Sequence, residues 1–191
     1  MHEVITVQKF SENEWLLDGI LEGNQNAQNV VIMLHEGGYN RDENGLFPVI
    51  EGSAIKKENN KIIFQTKSYG NYEILTNSLI KNDDFATFRY DLRNHGKSLV
   101  NDKMDKRDTL YMRLAKDLRD VIKYLKNKNS FKKIYFIGTG IGALVIEYYL
   151  TKINDIPLND IKQIHFICPN SPKISYNLNP KYQFSYQKQE Y

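Results

Sequence analysis

Cysteine is nearly absent from this sequence. Cys168 is the single one in 191 residues, which excludes an internal disulfide and any Cys-x-x-Cys metal site. Long apolar runs are missing as well, since no stretch approaches the ~18 apolar residues that a membrane span needs. Charge of one sign is never concentrated: 26 Lys and Arg stand against 23 Asp and Glu, for a net charge of +3. The basic groups at 56–57, 103–107 and 123–128 are short and broken by acids or apolar residues, which argues against a nucleic-acid partner. The opening Met1-His2-Glu3-Val4 lacks the basic start and apolar run of a signal peptide. Internal repeats are absent. These absences together lead to the expectation of a cytoplasmic protein with no membrane span, no metal and no cofactor.

What remains is ordinary globular material, 41% apolar and 26% charged, in a length that suits one domain. Val4 to Phe10 and Glu14 to Leu21 read as two antiparallel strands turning at Ser11-Glu12-Asn13. The continuous run Val30 to Leu34 suits a strand buried on both faces of a parallel sheet. Tyr72 to Ile80 reads as a short helix and Phe85 to Tyr90 as a strand. From Asp108, a candidate N-cap, to Lys126, the residues Leu110, Leu114, Leu118, Val121, Ile122 and Leu125 recur at helical spacing. Ile134 to Ile137 is a strand, Ile141 to about Leu150 a helix, and Ile161 to Cys168 a last strand.

The alternation of strands and helices predicts an α/β fold. Residues 1–168 are expected to form the core, with 40–71 as a long lid-like connection carrying a short hairpin between Ile55 and Phe64 around Asn59-Asn60. Residues 169–191, rich in Asn, Gln, Lys, Tyr and Pro, read as a loosely ordered tail.

Three motifs stand at strand ends: Leu34-His35-Glu36-Gly37-Gly38, then Asp91-Leu92-Arg93-Asn94-His95-Gly96-Lys97-Ser98, then Gly138-Thr139-Gly140-Ile141-Gly142. Together, and in this order, they resemble the α/β-hydrolase superfamily, especially its esterase, monoacylglycerol-lipase and serine-aminopeptidase-like members. The first is similar to the family's His-Gly turn, the second to its Asp-x-Arg-Gly-x-Gly-x-Ser turn, and the third to its Gly-x-Ser-x-Gly nucleophile elbow. The resemblance covers roughly residues 14–168. It implies a mostly parallel sheet of about six strands with helices on both faces, lacking the family's last strands.

The resemblance also implies a site, and the sequence departs from it at the decisive point. The nucleophile position holds Gly140, which has no side chain. Backbone N–H groups of Ile141 and of about Glu36-Gly37 are the oxyanion-hole candidates, with Gly138 and Gly142 as the elbow's flanking glycines. Asp91, Arg93, His95, Gly96 and Ser98 belong to the turn after the fourth strand and read as turn-stabilising groups more than catalysts. The family's order of Ser, then Asp or Glu, then His finds no base among His2, His35, His95 and His165, and no acid, since Asp155 and Asp160 lie before the last predicted strand. A triad without nucleophile or base keeps only ~10³–10⁴-fold catalysis from oxyanion hole and binding. The expectation is a hydrolase-like protein that is catalytically inactive alone and retains a pocket for a small acyl or carboxylate ligand. An alternative is a serine ester hydrolase inactivated by substitution at 140 and truncation.

Gly138-x-Gly140-x-x-Ala143 also fits a dinucleotide fingerprint, although the next strand ends in Cys168-Pro169-Asn170 with no acid. A phosphate-binding reading of Gly96-Lys97-Ser98 fails because Asp91 stands where that loop needs glycine. Finally, the strand at 161–168 is expected to be an apolar edge, covered by the 169–191 tail, by a second copy or by a partner chain.

Overall fold

A computed structural model describes residues 2–8, 15–24, 26–36, 41, 49–58, 61–69, 71–100, 109–128, 131–167 and 184–186. In chain order the strands and helices are β1 (His2–Gln8), β2 (Trp15–Gly23), β3 (Asn29–Leu34), β4 (Val49–Glu58), β5 (Lys61–Tyr69), α1 (Asn71–Leu79), β6 (Phe85–Tyr90), β7 (Leu99–Val100), α2 (Leu110–Lys128), β8 (Lys133–Thr139), α3 (Ile141–Tyr148), β9 (Ile161–Ile167) and β10 (Phe184–Tyr186). A wide π-helical turn, Tyr149–Ile153, extends α3. Among the described residues, no helix is long and apolar enough to cross a membrane.

The main sheet runs β1-β2-β6-β3-β8-β9-β10, with β7 pairing on β2. β1, β2 and β7 are antiparallel, and β6, β3, β8, β9 and β10 are parallel. Setting aside the two-residue β7 and three-residue β10, six strands remain, as the sequence implies. β3 to β6 steps one way along the sheet, whereas β6 to β8 and β8 to β9 step the other way. Right-handed crossovers then place α1 on one face and α2 with α3 on the other.

Packing follows this division. Val30, Ile32 and Leu34 of β3 join Phe88, Tyr90, Phe136 and Ile164 under α2 and α3, while Val31 and Met33 join Tyr72 of α1 and Ile137. β3 is therefore buried on both faces, as an apolar run in the middle of a parallel sheet requires. The helical stripe on α2 packs as expected at Leu114, Leu118, Val121, Ile122 and Leu125, but Leu110 is 51% exposed. Leu110 is the first residue of α2. Asp108 lies outside the described residues, and Thr109 performs the capping: its Oγ1 accepts the Met112 N–H at 3.3 Å.

Two elements exceed the sequence-based expectation. The hairpin within the connection after β3 spans Val49 to Tyr69 as β4 and β5, a two-stranded sheet of its own with a register shift between Glu51 and Ser53. The Asn59-Asn60 turn lies outside the described residues, as do Ser11-Glu12-Asn13, Cys168 and most of 169–191. Phe184–Tyr186, in the expected loose tail, pairs in parallel with Ile164–Phe166. Backbone bonding along that stretch of the β9 edge thus comes from the chain itself.

Candidate functional site

In an open α/β sheet, ligands settle at the carboxyl ends of the strands where the chain's direction of winding reverses. Here that point lies between β3, which leads toward α1, and β8, which leads into α3. β3 and β8 pair in register with Leu34 opposite Gly138. Two residues further along each strand stand Glu36 and Gly140, side by side.

The bend from β8 into α3 is tight because glycine permits it. A Cβ on Gly138 would sit 2.7 Å from the Ala143 backbone nitrogen, and one on Gly142 would overlap the Leu34 carbonyl. The expected flanking glycines therefore let α3 press against both strands. Gly140 has φ 49° and ψ −111°, a left-handed backbone that disfavours side chains, and its N–H donates to the Ile167 carbonyl at 3.1 Å.

The apex holds no side chain of residue 140, but the space is filled. A Cβ at this position would fall directly on the Glu36 carboxylate. Glu36 Oε1 also accepts the Ile141 N–H at 3.3 Å. The same carboxylate thus covers the apex and engages the N–H expected to serve as an oxyanion donor. A negative group is stabilised there because the first N–H groups of α3 point out of the helix toward it. Gly37 lies outside the described residues. Sequence reasoning assigned only the backbone of Glu36, because strand register, not local spacing, sets where its side chain goes.

His35 is fully buried and spent on structure. Its Nε2 accepts the Leu92 N–H at 2.9 Å, which leaves Nδ1 as the donor to the Glu36 carbonyl, 2.7 Å away. Burial, with help from nearby His95, holds its pKa below the ordinary 6.5, opposed by the bond to Glu36. His165 is lowered by burial as well. Each takes up a proton less readily when folded than when unfolded, so stability drops as pH falls below about 6.5. Glu147, raised by burial from 4.5, works in the opposite sense at lower pH. Urea midpoints are expected to be lower at pH 5.5 than at 7.5, with the difference shrinking in a His35→Asn/His165→Asn variant. An unchanged difference would remove these histidines from the account.

The turn after β6 is held by a closed set of bonds. Asp91 Oδ1 accepts the Arg41 N–H and Oδ2 the Lys97 N–H, both at 2.8 Å. Ser98 Oγ donates to the Asp91 carbonyl at 2.5 Å and accepts the Asp18 N–H at 3.0 Å. Gly96 has φ 50°, and a Cβ there would collide with the Asp91 carboxylate. Arg93 forks onto Asp117 of α2 through bonds of 2.8 and 2.7 Å, while His95 Nδ1 lies 2.9 Å from the Arg93 carbonyl. His95 also meets the His35 ring edge-on, with centroids 5.2 Å apart. Asp91, Arg93, His95 and Ser98 are thus engaged in structural bonds, and Gly96 leaves room for the Asp91 carboxylate.

Several supporting groups escaped the sequence reading because their partners are distant in the chain. Tyr72 Oη donates to the Leu34 carbonyl at 2.8 Å and lies 2.8 Å from Thr139 Oγ1, fixing Thr139 on the α1 face. The Arg41 guanidinium pairs with Asp18, and Arg89 with Glu22. A cavity of about 340 Å³ on the α1 face is lined by Val31, Leu75, Leu79, Tyr135, Ile137 and His165, among others. Among the described residues there is no cluster of three His, Cys, Asp or Glu side chains placed to hold a metal ion.

Comparison with known proteins follows this geometry. Residues 65–189 match the sequence model of the family described as "Putative serine esterase (DUF676)". The fold is similar to the Pyrococcus furiosus esterase Pf2001 (TM-score 0.57, 21% identity, 88% of this chain and 52% of that one). It is also similar to the α/β hydrolase GrgF from Penicillium sp. sh18 (TM-score 0.58, 13% identity, 87% and 45%). The Exiguobacterium antarcticum esterase EaEST is comparable (TM-score 0.56, 15% identity, 85% and 44%). The chain spans about half the length of these structures. The comparison with curated proteins found no match.

Proposed function

The chain belongs to this serine-esterase family within the α/β-hydrolase superfamily, and on that premise we propose that it is a non-catalytic member that binds a small acyl or carboxylate ligand. The observation that carries this reading is the Glu36 carboxylate lying where the side chain of residue 140 would begin. An acyl-transfer nucleophile must stand at that apex with a base in hydrogen-bond reach. Gly140 supplies no nucleophile, and His35, the histidine of the adjoining turn, has both ring nitrogens committed. The Ile141 N–H, which here donates to the Glu36 carboxylate, suits an anion without any need for bond cleavage.

The dinucleotide alternative lacks a second feature that its fingerprint needs, since the strand after the elbow runs into Cys168-Pro169-Asn170 with no acid for a ribose. The test is hydrolysis of p-nitrophenyl acetate and butyrate by the native chain, by Gly140→Ser and by Glu36→Ala/Gly140→Ser. All three are expected to run at the rate of buffer alone. Saturable turnover by the native chain would overturn the proposal, and turnover appearing only with the serine would favour an inactivated hydrolase whose remaining machinery survives.

A further inference from the structure

We propose that Glu36 and Gly140 form a self-occluding pair, in which the carboxylate closes the elbow as an internal ligand and the glycine leaves it room. The inference rests on reading the elbow as a ligand site, and it adds the device that keeps the site shut. Two geometric facts carry it. The carboxylate fills the volume a Cβ at 140 would need, so any side chain there competes with Glu36 for space. It also accepts the Ile141 N–H, so an incoming carboxylate competes with Glu36 for the same donor.

The pair is built by the sheet. Register between Leu34 and Gly138 brings residue 36 level with residue 140, though 105 residues separate Glu36 from Ile141. Gly140 already carries a left-handed backbone at φ 49°, which by itself disfavours a side chain. Glu36 adds a second, separable reason. Its bond to Ile141 uses the same donor that an incoming anion would need, so Glu36 and a ligand exclude one another. A purely structural cap, by contrast, would bind nothing in its place when removed.

Two measurements decide the matter. The first is a thermal-unfolding cycle of Glu36→Ala, Gly140→Ala and the double variant. Gly140→Ala is expected to lower Tm in the native background, with a measurable part of that loss, beyond the part due to the backbone at 140, disappearing once Glu36 is alanine. The second is titration of the ¹⁵N-labelled chain with sodium butyrate. Saturable shifts at the Ile141 and Gly142 amides are expected in Glu36→Ala, at an affinity at least about tenfold above the native chain's. Should Glu36→Ala fail to fold, Glu36→Ser, whose side chain is too short to reach residue 140, takes its place in the titration.

Additive losses in the cycle would overturn the pair. Amides unmoved by butyrate after Glu36 is removed would overturn its role as an occluding ligand. Neither result touches the proposal that the chain is non-catalytic, which fails separately if the native protein turns over p-nitrophenyl esters.

Discussion

Arg93→Met is expected to destabilise the fold by about 3–5 kcal/mol, the usual loss when one half of a buried ion pair is removed. Arg93 and Asp117 are 3% and 6% exposed, and their two parallel bonds of 2.8 and 2.7 Å form a planar fork that lysine could not reproduce. The variant leaves a carboxylate on α2 facing the sheet with its principal counter-charge gone. Burial and that same carboxylate already hold the Tyr90 hydroxyl well above its ordinary pKa, so the surroundings supply little solvation. Urea denaturation followed by circular dichroism measures the loss. Replacing both partners, as Arg93→Met/Asp117→Leu, is expected to recover most of it, because two apolar side chains leave no stranded charge. A loss below about 1 kcal/mol in the single variant, the range of an exposed pair, would show that water reaches Asp117.

Gly142→Val is expected to be the most damaging change at the elbow. Its Cβ would overlap the carbonyl oxygen of Leu34 and crowd the Leu34 Cβ at 2.8 Å. Overpacking usually costs about 1–3 kcal/mol, occasionally more, and the lower values arise where a flexible side chain can yield. Here the obstacle is the backbone of β3, held between β6 and β8. The loss should therefore exceed about 3 kcal/mol, seen as a lowered urea midpoint or as failure to recover folded protein. Leu144→Ala, a half-buried position on the same helix, provides the comparison and should lose far less. Near-native stability of Gly142→Val would mean that α3 stands further from β3 than described.

These two positions differ in how readily the sequence discloses them. Gly138 and Gly142 are legible because a strand-to-helix bend needs small residues at fixed spacing, and local spacing is what a sequence displays. The same holds for β3, whose unbroken apolar run needs cover on both faces, and for α2, whose stripe repeats at helical period. Arg93 and Asp117 are only two charges in a mixed sequence until β6 and α2 bring them together. The Glu36 side chain was missed for the same reason, since its destination is set by strand register across 105 residues. Leu110 fits the stripe yet is exposed, because periodicity does not reveal where the sheet stops beneath a helix. β10 carries three residues, too few for an alternation to register.

The position of β3 has a consequence for synthesis. Its partner β8 begins at Lys133, which pairs with Asn29, so roughly a hundred residues must be made before that side of β3 can be bonded. At about 5–20 residues per second, the ribosome holds β3 for roughly 5–20 s with that edge unbonded. During that interval Val30 to Leu34 is the segment most exposed to mispairing with a neighbouring nascent chain, and the yield of soluble protein should depend on translation speed between β6 and β8.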